Sequence, residues 1–114
     1  MYRRIRLSED ASNPTWFVDD VRMLMTTFGR LKGISGSPVM LLTRSIHTFT
    51  LGHPIAVVAL DLDGVVVSAS VMQPGRMLDF RTRRWVVETS PGGHLPRVGT
   101  RIIASTMPEQ CQAH

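Results

Sequence analysis

The chain has 114 residues, 43% hydrophobic and 19% charged, which suits one globular domain whose core needs no disulfide or metal staple. A formal charge of +4 invites an anionic partner, yet twelve of the thirteen basic residues are arginine and Lys32 is the sole lysine, a bias that non-specific phosphate binding does not demand. The single cysteine, Cys111, excludes an internal disulfide, and no apolar run approaches the roughly eighteen residues of a membrane span.

The first residues are basic but lead into Ser8-Glu9-Asp10 instead of an apolar stretch, so no signal peptide is expected and the predicted location is cytoplasmic. Residues 2–7 alternate, with Arg4 and Arg6 on one face and Ile5 and Leu7 on the other, which predicts a short edge strand. Asn13-Pro14 then offers an N-cap and a first helical position. Phe17, Val21, Leu24, Phe28 and Leu31 follow at spacings of four, three, four and three, which predicts an amphipathic helix over about 14–29.

Beyond the loop chemistry of Gly33-Ile34-Ser35-Gly36-Ser37-Pro38 the pattern turns β. Short strands are predicted at 39–42 and 45–50. Residues 55–60 are apolar on both faces, as in a strand covered on two sides. Asp61-Leu62-Asp63-Gly64 predicts a hairpin turn into a partner strand over 65–72. Pro74-Gly75-Arg76 breaks the chain, residues 83–89 form another strand, and 101–105 the last. The expected fold is therefore β-rich, on the border of α+β. It is a single small domain over residues 1–106, a partly closed barrel-like sheet capped by the N-terminal helix, with a frayed tail at 107–114.

These blocks also carry a resemblance. Gly33-Ile34-Ser35-Gly36 precedes an apolar strand and Arg44-Ser45-Ile46-His47-Thr48; Pro54-Ile55, Asp61-Leu62-Asp63-Gly64, Val86-Val87-Glu88, Gly92-Gly93 and Val98-Gly99-Thr100-Arg101-Ile102 follow in order. Over roughly residues 29–103 the chain resembles the bacterial and archaeal family catalogued as domain of unknown function 192, in its actinobacterial form. The resemblance implies a β-rich, barrel-like sheet and no established activity. It also marks departures: many relatives have Trp-Met-x-Asn-Thr where this chain has His47-Thr48-Phe49-Thr50-Leu51, and an Asp where it has Ala56.

Candidate chemistry follows from residue types. Arg44, His47, Thr50 and Glu88 are the expected ligand site, with a guanidinium for an anion and an imidazole to hydrogen-bond it. No catalytic residue is assigned. His47, His53, His94 and Glu88 match no metal-ligand spacing, and Asp61 and Asp63 lack the downstream acid of a calcium loop, so neither metal nor cofactor is expected. Asp61 with Glu88 is a conceivable acid–base pair, as is either with His47. Arg76, Arg81, Arg83 and Arg84 beside Trp85 are a conceivable nucleic-acid face, although aromatics do not interleave with the arginines. The reading is a non-enzymatic binding or accessory module for a small polar or anionic ligand or a protein partner. The alternatives are an enzyme on a small polar or anionic substrate and a weak nucleic-acid binder.

Overall fold

A computed structural model describes residues 3–24, 38–48 and 52–106. Seven strands form one sheet: β1 (Arg3–Glu9), β2 (Phe17–Leu24), β3 (Val39–His47), β4 (Ile55–Leu60), β5 (Val66–Met72), β6 (Met77–Thr89) and β7 (Ile102–Thr106). Their order is β5-β4-β6-β3-β2-β1-β7. Every pairing is antiparallel except β2 with β3. The β-rich class is as expected, and the expected strands at 39–42 and 45–50 are one continuous β3. The sheet is not a closed barrel: β5 and β7 remain its edges and touch through an isolated bridge between Val65 and Arg101.

Both faces of the middle of the sheet are buried. Val57 and Val58, Val86 and Val87, and Leu41 and Met40 alternate between two apolar clusters on opposite faces. All six residues of β4 are buried, as its unbroken apolar run requires. The first cluster draws Ile5, Leu7, Val21, Met40, Val58, Val66, Val87 and Ile102 from all seven strands, so the sheet curls around it. The second joins Val39, Leu41, Ile46, Ile55, Val57, Met72 and Val86.

The predicted N-terminal helix is not formed where the structure describes it. Residues 17–24 are strand β2, and the remainder of that helix from residue 25 lies outside the described residues. A β-bulge overrides the helical spacing, turning Val18 and Val21 to the core and leaving Phe17 of the predicted face exposed. The β1–β2 register shifts between Ile5↔Val21 and Leu7↔Val18, and Asp20 adopts a positive φ of 60°. One extra residue lets Val18 and Val21, three apart, both face the first cluster. Arg4 pairs with Asp20 at 3.3 Å and Arg6 pairs with Asp19, so the outward charges of two adjacent strands match. The strand expected at an edge is also internal, because β7 pairs with β1 on its far side.

Candidate functional site

The β3–β6 register decides which expected site residues can meet. Val39 faces Glu88 at one end of β3 and His47 faces Met77 at the other. β3 is nine residues long, so His47 and Glu88 stand on the order of 20 Å apart. They do not share a site. Arg44 is exposed midway between them, and Thr50 lies outside the described residues. Asp61 follows Leu60 at the end of β4, whereas Glu88 pairs with Val57 on that strand, about 13 Å away at strand rise. The conceivable acid–base pairs are therefore not assembled. Among the described residues no three His, Cys, Asp or Glu side chains converge as metal ligands. His53 is exposed, with Nδ1 3.1 Å from the Pro54 carbonyl.

What the conserved-looking block around His47 does supply is Thr48, which residue-type reasoning passed over. Thr48 is fully buried, and its hydroxyl donates to the Gln73 carbonyl at 2.7 Å and accepts the Arg76 N–H at 2.8 Å. Its backbone N–H donates to Arg76 O and its carbonyl accepts Gly75 N–H. One threonine thus holds the whole β5–β6 turn. The available signal was a β-branched hydroxyl residue closing an apolar strand, where a buried O–H needs partners.

The Asp61-Leu62-Asp63-Gly64 turn forms as expected. The Asp61 carboxylate accepts the N–H groups of Asp63 and Val65 at 2.9 and 3.0 Å. Those bonds, led by the one from Val65, hold the Asp61 carboxyl below its usual range, against a smaller opposing effect of desolvation. Glu9 is lowered likewise, first by the Thr15 N–H and then by the Thr15 hydroxyl and the Trp16 N–H, with desolvation again opposing and the charge of His94 helping. A carboxyl lowered in the folded state stabilises above its unfolded value and loses that contribution as pH falls through its folded one. The melting temperature is therefore expected to drop below about pH 4, and the drop should be shallower in Glu9→Gln and Asp61→Asn. Circular-dichroism melts across the acid range measure this; parallel pH profiles for wild type and both variants would contradict it.

A cleft of about 260 Å³ opens on the face of the first cluster. Register sets Val71, Ala56 and Thr89 side by side across β5, β4 and β6 as its floor. Thr15, Trp16 and Phe17 form one wall, entering from the β1–β2 connection that Glu9 pins in place. Ser90, Gly92, Gly93 and His94, from the β6–β7 connection, form the other, above Leu95. Trp16 is buried in the core while Phe17 is 58% and Val71 45% exposed, so apolar surface is offered at the mouth. None of the expected site residues lines this cleft, but Ala56 does. A sequence scan for charged ligands had no means of finding a site built from hydroxyls, backbone and aromatic edges.

Of the expected nucleic-acid face, Arg76 sits in the β5–β6 turn beside Thr48, away from Arg81, Arg83 and Arg84. Trp85 is half-buried against the first cluster. No family model, curated protein or solved structure matches the chain.

Proposed function

We propose that the chain is a small cytoplasmic binding or accessory module that takes a compact amphipathic molecule in the cleft over Ala56. The supporting observation is the lining itself: the apolar Val71, Ala56, Trp16 and Phe17 with polar groups from Thr15, Thr89, Ser90 and His94 among them. Apolar surface with a comparable share of placed polar groups suits an amphipathic small molecule, and the volume suits a ligand smaller than a typical drug. His94 is the one ionisable side chain lining the cleft among the described residues. Recognition fits that arrangement better than acid–base chemistry, which needs convergent partners.

The kinship to domain of unknown function 192 belongs to the same proposal. On that pattern relatives carry Asp at the position of Ala56, so their clefts have a carboxylate in the floor and this one an apolar patch. This chain's ligand is then the less polar. The test is a titration of phenylacetate into isotope-labelled protein followed by amide chemical shifts. Shifts at millimolar ligand are expected at Trp16, Ser90, His94 and their neighbours, and Val71→Trp, which fills the mouth, should abolish them. Shifts that map elsewhere, survive Val71→Trp or never arise would overturn the assignment.

A further inference from the structure

The β3–β6 ladder breaks where arginines accumulate. Thr43 pairs with Arg84, and pairing resumes at Ser45↔Asp79. One residue of β3, Arg44, therefore faces residues 80–83 of β6. The register set by Thr43↔Arg84 would put Arg44 directly opposite Arg83, and like charges facing across a ladder destabilise it. The strands part instead, and Thr43 stabilises the kink by donating its hydroxyl to Ser45 O at 2.8 Å.

Arg44, Arg81 and Arg83 are exposed, and Arg84 is half-buried. The side chains of Arg44, Arg81 and Arg83 have no ion pair or hydrogen bond among the described residues, and the Nε of Arg84 is buried without an acceptor while its charge acts on Asp61. Asp79 beside Ser45 and Asp61, whose carboxyl feels the charge of Arg84, bound the patch but leave it basic. The chain thus leaves three exposed arginines, Arg44, Arg81 and Arg83, along one bulge where elsewhere, at Arg4 and Arg6, it pairs them with carboxylates.

We infer that this bulge binds the phosphodiester backbone of single-stranded nucleic acid without sequence preference. Arg81 and Arg83 are two residues apart on an extended strand, roughly 7 Å, which suits successive phosphates along one strand, while Arg44 reaches the same anions from β3. A membrane surface fits less well: the exposed large apolar residues, such as Phe17, Leu62 and Val98, lie outside the bulge, so the patch offers charge with nothing to insert. The site is separate from the cleft and does not depend on it.

Fluorescence anisotropy with a labelled oligothymidylate of about 15 nucleotides tests this. Binding should weaken between about 50 and 200 mM salt with a slope of log K near −2 for three contacts. Arg81→Ala with Arg83→Ala should cut affinity about tenfold at low salt and flatten the slope by about 1.4, while the two lysine replacements retain both. These side chains are exposed, so melts of the variants should match wild type. Absence of binding at low salt, or an unchanged slope in the double alanine variant, would overturn the inference. So would displacement of the oligonucleotide by inorganic phosphate beyond that by chloride at equal ionic strength, which assigns the site to a free anion. Binding to phosphatidylserine vesicles without binding to the oligonucleotide would overturn it in favour of a membrane.

Discussion

Thr48→Val is expected to destabilise the protein by about 2 kcal/mol, lowering the melting temperature by on the order of 10 °C. Valine keeps the shape and removes only the hydroxyl, so the packing around this buried side chain is preserved. Two backbone groups lose their partner at once: the Gln73 carbonyl, which receives the hydroxyl proton, and the Arg76 N–H, which donates to its oxygen. Each buried group left unsatisfied costs about 1–3 kcal/mol, discounted here because the turn around it is exposed and water can reach part of it. Thr48→Ser keeps both bonds and loses one methyl, so it should fall within about 1 kcal/mol of wild type. Thermal melts of the pair decide the matter: a valine variant as stable as the serine variant would remove the hydroxyl from the account.

Thr48 also shows where sequence reading stops. Strand content was legible wherever alternation or an unbroken apolar run had one explanation, as in β1, β4 and the Asp61–Gly64 hairpin. It failed at β2, because Phe17, Val21 and Leu24 read as a helix face, whereas the bulge at Asp20 turns Val18 and Val21 to the core and leaves Phe17 exposed, and a bulge is fixed by the partner strand. The expected ligand residues are separated for a related reason. Arg44, His47 and Glu88 are near one another in the pattern of blocks, but antiparallel pairing sends the ends of β3 and β6 to opposite ends of the sheet. Conversely, Arg44 comes to face residues 80–83 as a group, and not one residue of β6, through a register break that no local signal announces. Ala56 was legible only as a buried strand residue, and its place beside Val71 and Thr89 is set by the pairing of β4 with β5 and β6.

Gly64→Ala should destabilise by about 2–3 kcal/mol, for two separable reasons. Gly64 has φ of +88°, in the left-handed region, where a Cβ costs roughly 1–2 kcal/mol. That Cβ would also stand 3.0 Å from the Ile102 carbonyl oxygen. The neighbour has little freedom to yield, since Ile102 N–H donates to Gly64 O at 2.8 Å, Val66 N–H to Thr100 O at 2.8 Å, and Arg101 Nη1 to Asp63 O at 2.9 Å. These bonds flank the Val65–Arg101 bridge, the one place where the two edges of the sheet meet, so crowding there loosens the seam as well as the turn. Gly75→Ala isolates the first term: its φ is +80° but its added Cβ meets nothing within 4 Å. It should cost only about 1–2 kcal/mol. Hydrogen exchange should show faster opening of Val66 and Ile102 amides in Gly64→Ala and not in Gly75→Ala. Equal stability loss with equal protection at Val66 and Ile102 would mean that the seam plays no part and that backbone strain alone sets the cost.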